Sequence, residues 1–186
     1  MNVDEAIRNR RSIKRFTDRA VTRDEVERVL TAAALAPNHR LTEPWRFYVL
    51  GPEARHAYGL ALGVRKARKL TDPDAIAALR EKVAAENRAL PCMIAVAMVT
   101  SDDPEIREED YAAVMMAIQN LALAAVEIGL GTHIKTGAVM DTAAAREAVG
   151  VPADQRIVAT INLGEPAEIP APKPRHAGVE HTTWLP

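Results

Sequence analysis

Cysteine is nearly absent from this chain: Cys92 alone stands among 186 residues, so no internal disulfide can form. It lies in the apolar run Pro91 to Val99, where an inert buried thiol is the expected state and a nucleophile is not. The five histidines, His39, His56, His133, His176 and His181, show no ligand spacing with one another or with the cysteine, which argues against a metal centre. Aromatic residues make up only 4%, so the core must come from Ala, Val, Leu and Ile, a composition that suits helices packed on a sheet. Net charge is scarce too. At -1 it offers no general attraction for nucleic acid, and any anion site must be local. The first 19 residues lack the apolar stretch of a signal peptide, and the run Tyr111 to Leu130 is broken by Gln119, Asn120 and Glu127. A cytoplasmic protein with no nucleic-acid or membrane partner is the expectation. No Gly-x-Gly-x-x-Gly and no P-loop occur, and neither Ser12 nor Ser101 sits in a strand-turn-helix context. The pairs Asp102-Asp103 and Glu108-Glu109 look like solvated charges at a helix start.

What is present is one local concentration of charge. Between Arg8 and Arg19 there are six basic residues against one acid, Asp18. If the stretch Asn9 to Phe16 is extended, Arg10, Ser12 and Lys14 share one face, while Arg11, Ile13 and Arg15 share the other. Arg10 to Lys14 would span about 13 Å, enough to hold a phosphate at one end and touch a second polar group at the other. Taken alone, the stretch fits a solvated basic patch better than a site.

A chain of this length supports one full domain. Val3 to Arg8 reads as a short helix ahead of the basic segment. Thr22 with Glu25 forms a capping box opening a helix to about Ala36, stopped by Pro37. The polar loop Pro37 to Pro44 leads into a strand from Trp45 to Leu50. A helix starts near Glu53, and an alanine-rich helix runs from about Pro73 to Asn87. Between them, Gly63 to Asp72 reads as a mobile surface excursion. Met93 to Val99 is apolar on both faces, as a central strand should be. A long helix from about Glu108 to Gly129 is apolar nearly all round, hence buried centrally or against another subunit. Thr132 to Lys135 is a short strand, Asp141 caps a helix to about Val149, and Arg156 to Leu163 is the last strand. The proline-rich end after Gly164 cannot join a core. The sum is an α+β arrangement.

Four blocks in order carry a resemblance. Arg10, Ser12, Lys14 and Phe16 follow the first helix as Arg-x-Ser-x-Lys-x-Phe. Pro37, Pro44, Trp45 and Phe47 match a loop ending in Pro-Trp-x-Phe. Gly129 and Gly131 follow the long apolar helix, and Leu163-Gly164-x-Pro166 precedes Pro172-Lys173-x-Arg175. Over nearly the whole chain the sequence resembles the nitroreductase family of flavin enzymes. That resemblance implies a single domain over residues 1–186 with a mostly antiparallel sheet flanked by helices. It also implies a homodimer, with the long apolar helix at the interface, residues 165–186 wrapping the partner, and one FMN at each of two interface sites.

By the same analogy Arg10 and Arg175 reach the FMN phosphate, Ser12 contacts the ribityl or phosphate region, and Lys14 lies near flavin N1. Arg11 is a weaker candidate on the opposite face. A short subgroup with a Pro-x-His loop matches Pro37-Asn38-His39 and Lys135-Thr136-Gly137 better, which adds His39, Ile134, Lys135 and Thr136 to the cofactor set, with Leu35 facing the partner's flavin. An ammonium at Lys14 would favour the negative charge that two-electron reduction leaves on the ring. No catalytic side chain is then required, because the chemistry lies at flavin N5. The implied activity is hydride transfer from NAD(P)H to a nitroaromatic, quinone or similar small-molecule acceptor. Flavin breakdown, dehalogenation, substrate dehydrogenation and a non-catalytic flavin-binding dimer stay open. The chain departs from the usual family loop at Leu41 and Glu43, which stand where Asn and Gln are common.

Overall fold

The computed structural model describes residues 1–186. Four strands form one sheet in the order β1-β2-β4-β3: β1 (Trp45–Val49), β2 (Cys92–Val99), β3 (Gly131–Lys135) and β4 (Gln155–Gly164). Every neighbouring pair is antiparallel. Six α-helices surround it: α1 (Val3–Asn9), α2 (Arg23–Ala34), α3 (Pro52–Ala67), α4 (Pro73–Arg88), α5 (Pro104–Glu127) and α6 (Ala143–Val149). The α+β architecture expected from the sequence is the one observed.

Register explains why β2 and β4 are apolar on both faces. Ile94 pairs with Ile161, which pairs with Ile134, and this row points at α2 and α5 with Val96, Met98 and Leu163. The alternate row, Met93, Ala95 and Ala97, packs with Tyr58 and Ala61 of α3 and Ala145 of α6. Burial from two sides requires such a near-continuous hydrophobic run.

Three element boundaries differ from expectation. Helix α5 begins at Pro104, four residues early, because Asp103 caps it: Oδ1 accepts from the Glu105 N–H at 2.8 Å. Proline suits the first turn, where its missing N–H costs nothing. Thr142, not Asp141, caps α6, because its hydroxyl accepts from the Ala145 N–H, while Asp141 closes a 3-10 turn. Residues 63–67 are not an excursion. Helix α3 continues through them because α4 lies against it: a Cβ at Gly59 would stand 2.6 Å from the Ala84 Cα, and one at Gly63 2.7 Å from the Arg80 Cα. Glycines four apart on one helix face let the two backbones approach closely.

Helix α5 is central, with Val114, Ile118, Leu121 and Ala125 fully covered. A stripe of Ala112, Met116 and Leu123 on its outer side is not. Met116 is 41% exposed, and Leu35 at the end of α2 is 77% exposed. No helix of the chain is long and apolar enough to cross a membrane.

Candidate active site

The basic segment is extended, as its alternation requires. Asn2 and Glu5 form a capping box at the start of α1, and the Arg10 N–H closes its end on the Ala6 carbonyl. The chain then runs beside β3: Ser12 bridges Thr132 in parallel, and the Ile13 N–H donates to the Thr132 carbonyl at 2.9 Å. Ile13 is buried, while Ser12 and Lys14 face outward.

The segment's far end is held by the chain terminus. Phe16 bridges Pro166, the Thr17 N–H donates to the Glu165 carbonyl at 2.9 Å, and the Ala167 N–H donates to the Arg15 carbonyl at 3.1 Å. The tail therefore runs along residues 8–15 of its own chain before reaching Lys173 and Arg175. Between the two lies a cavity of about 970 Å³. Arg10, Arg11, Ser12, Lys14 and Arg175 all line it, together with Arg8, Arg15 and Lys173; Glu168 is its only carboxylate. Residues more than 150 positions apart thus supply cations to one space.

Not all of these cations are free. Arg8 pairs with Asp4 at 2.6 Å, and Arg15 lies 3.6 Å from Glu168. Arg11 serves the fold, because its Nη1 donates to the carbonyls of Arg8, at 2.5 Å, and Arg10, at 3.0 Å. It closes the end of α1, and its buried Nε has no partner. Arg10, Lys14, Lys173 and Arg175 have no carboxylate partner. Four unpaired cations on an open polar cavity fit a phosphate dianion, and the orphaned Arg11 Nε adds an unsatisfied donor to its wall.

Strand β3 carries the next group. His133 and Lys135 share a sheet face with Asn162 and Thr160, their direct partners on β4. Burial holds the His133 imidazole below its ordinary range, and the charges of Lys135 and Lys14 push the same way. Burial also lowers the Lys135 ammonium, with Lys66 of α3 adding to the effect and Glu86 opposing it. The charges of Lys14 and Lys135 both act on His133, so a negative charge placed there would be favoured. Ile134 points to the opposite, apolar face, and Thr136 is exposed just past the strand. Sequence patterning alone does not single out His133; its alternation with Lys135 on a strand is the available signal. Lys66 is hidden because Gly63 suggests an earlier end for α3.

Leu35 and His39 are not in this cavity. They lie on the α2 side, where His39 borders a separate hollow of about 400 Å³ with Pro37, Asn38, Glu109, Ala112, Ala113 and Met116. Its Nδ1 is 2.9 Å from Glu109 Oε1, and the Arg40 Nε donates to Oε2 at 2.9 Å. Glu109 is thus no solvated helix-start charge. It lies inside α5, and the bonds from His39 and then Arg40 hold its carboxyl below the usual range. The loop itself is contorted: Leu41 and Glu43 have φ of 50° and 44°, and no other non-glycine residue has a positive φ.

Comparison with known proteins bears on the family and the fold. The model of the nitroreductase family matches residues 7–165. YfhC of Bacillus subtilis is 32% identical over 169 residues, covering 91% of this chain and 87% of that protein. A nitroreductase-like family protein from Bacillus cereus superposes with a TM-score of 0.85 at 29% identity, covering 100% of this chain and 96% of the other. A Desulfovibrio desulfuricans structure holding FMN superposes at 0.73 with 28% identity, over 99% and 96% of the two chains. This chain belongs to the nitroreductase family.

Proposed function

We propose that the chain is an FMN-dependent NAD(P)H oxidoreductase that works as a homodimer and reduces a nitroaromatic, quinone or similar small acceptor in a ping-pong cycle. The observation that carries this reading is the cavity in which Arg10, Ser12 and Lys14 meet Lys173 and Arg175. Family membership supports the cofactor, as does the FMN held by the Desulfovibrio desulfuricans structure. YfhC, named provisionally as an NAD(P)H nitroreductase, supports the nicotinamide.

Bound FMN supplies the hydride chemistry at its N5. The chain's own part is to hold and bias it. Arg10 and Arg175, with Lys173 beside them, are the phosphate ligands, and Ser12 is the hydroxyl between phosphate and ring. Lys14, next to His133 and Lys135, sets a positive potential where reduction places negative charge. Arg11 braces the end of α1 rather than offering its guanidinium to the cofactor. Ile134 and Thr136 serve through the backbone at the end of β3, beside Lys135.

A second copy completes the arrangement. Half-buried Leu123 of α5 and exposed Leu35 lie on the face that it covers, the hollow beside His39 stays open at its edge, and residues 176–186 of the tail reach across. In this reading His39 and Leu35 of one protomer stand at the cofactor of the other. Purified protein should be yellow, elute as a dimer, and bleach under anaerobic NADH or NADPH, regaining colour when a quinone is added. Colourless protein that takes up no FMN ends the reading.

A further inference from the structure

We propose that His39 is the proton donor to the acceptor and that Glu109 is the residue that positions it. The proposal rests on the flavoenzyme reading above, with His39 brought to the site by the second copy.

The loop that carries His39 is fastened far more firmly than a connection between helix and strand requires. The Asn38 Oδ1 accepts from the Glu43 N–H at 2.8 Å, Thr42 Oγ1 donates to Asp110 Oδ1 at 2.5 Å, and Arg46 Nη1 donates to the Glu43 carbonyl at 2.8 Å. These bonds hold two residues in the left-handed region, at a cost that persists only where the surroundings over-determine the conformation. What the bracing fixes is the histidine. Glu109 Oε1 takes the Nδ1–H of His39, and Arg40 takes Oε2 while its Nη2 donates to Glu105 at 2.9 Å. The charged groups about the ring are therefore Glu109, Arg40 and Glu105, with Asp103 near Arg40 and Asp110 under Thr42.

Carboxylate contact at Nδ1 settles which nitrogen is left to work. Nε2 makes no hydrogen bond, the side chain is 71% exposed, and the ring stands at the rim of the 400 Å³ hollow. The floor of that hollow is Pro37, Ala112, Ala113 and Met116, an apolar surface for the flat face of a one- or two-ring acceptor. A ring lying there presents its oxygen to Nε2.

Reducing a quinone to a hydroquinone adds a hydride and one proton. The cofactor chemistry accounts for the hydride and both electrons. The proton passes from imidazolium Nε2–H to the quinone oxygen, the N–H bond breaking as the O–H bond forms. The imidazole left behind is neutral and keeps its Nδ1–H on Glu109; solvent returns the proton. Glu109 stays ionised throughout and stabilises the imidazolium, as a carboxylate does for any histidine acting in this way.

The test compares two acceptors on FMN-saturated protein reduced with dithionite. A 1,4-naphthoquinone must be protonated, whereas ferricyanide takes electrons alone. In His39→Gln and Glu109→Gln the ratio of quinone rate to ferricyanide rate should fall at least tenfold, since general acid catalysis contributes about 10²–10⁴-fold. Added imidazole should restore part of the quinone rate in His39→Ala. An equal loss for both acceptors, or none for either, overturns the proposal. A second readout needs no cofactor: nitrogen NMR of histidine-labelled apoprotein should show His39 with its proton on Nδ1, and Glu109→Gln should shift that signal. A proton found only on Nε2 overturns the proposal whatever the variants do. Dithionite bypasses the nicotinamide, so a protein that NADH and NADPH both fail to reduce loses the proposed function without altering either result.

Discussion

Ile13 occupies the space that a side chain at residue 131 would need. A Cβ built on Gly131 collides with the Ile13 side chain and stands 3.0 Å from the Pro166 ring. One glycine at the start of β3 therefore lets both the basic segment and the returning tail lie against the sheet. In the sequence, Gly129 and Gly131 together look like a helix terminus only. Gly129, with a φ of 78°, does serve that purpose, whereas Gly131 is a packing position.

Gly131→Ala should thus damage the site without touching any cation. Overpacking of this kind costs about 1–3 kcal/mol. FMN affinity should fall as residues 10–14 are pushed off β3, and the melting temperature should drop with it. Adding Ile13→Ala returns the space, so the double variant should bind FMN better than Gly131→Ala alone. Strictly additive losses in that cycle would show that the two residues do not compete for one volume.

The phosphate assignment is tested by asking for a phosphate-dependent loss. Removing one charged contact typically costs about 1.5–3 kcal/mol. Arg10→Ala and Arg175→Ala should each weaken FMN at least tenfold while leaving the affinity for riboflavin, which lacks the phosphate, nearly as before. Equal losses for both ligands in a fluorescence titration would move these arginines away from the phosphate.

How much of this is legible in the sequence follows from the range of the interactions involved. Capping boxes are local, so α2 is marked in the sequence by Thr22 with Glu25, while the box of Asn2 with Glu5 at α1 emerges with the structure. The central strand is legible because burial on two faces leaves no polar residue in Met93 to Val99. The end of α3 is hidden because Gly63 looks like a breaker until α4 is seen against it. The division of labour between Arg10 and Arg11 is half legible, because alternation puts them on opposite faces without saying what Arg11 does there. Both are arginines in one motif, and only the fold shows that Arg11 turns back onto the carbonyls of α1. Glu109 is the sharpest case, since its partners His39 and Arg40 lie about seventy positions away and nothing local distinguishes it from Glu108.

Lys14 is assigned an electrostatic role, and its replacement should register as a potential. Lys14→Met keeps much of the side-chain bulk and removes the charge. The two-electron reduction potential of bound FMN should fall, by about 30 mV for each 1.4 kcal/mol of lost stabilisation. Spectroscopic titration against a dye of known potential measures this directly. An unshifted potential would leave Lys135, two residues along β3 from His133, to carry the charge instead.

Cys92 gives a prediction about stability that is independent of the cofactor. The residue is 5% exposed at the start of β2, and burial pushes its thiol up to about 11, with Arg55 pulling weakly the other way. A folded-state value above the ordinary 9.0 means that the thiolate forms first in the unfolded chain. The unfolded state then binds fewer protons than the native state between those two values, so stability is full below the lower one and declines as pH rises toward the higher. Between pH 8 and 10 the wild-type protein should lose about 1 kcal/mol more than Cys92→Ala, because a tenfold difference in proton affinity is worth about 1.4 kcal/mol. Urea midpoints for the two proteins at both pH values measure the difference. Parallel pH dependences would mean that the thiol ionises as readily in the folded core as outside it, and that the start of β2 opens to water in the native state.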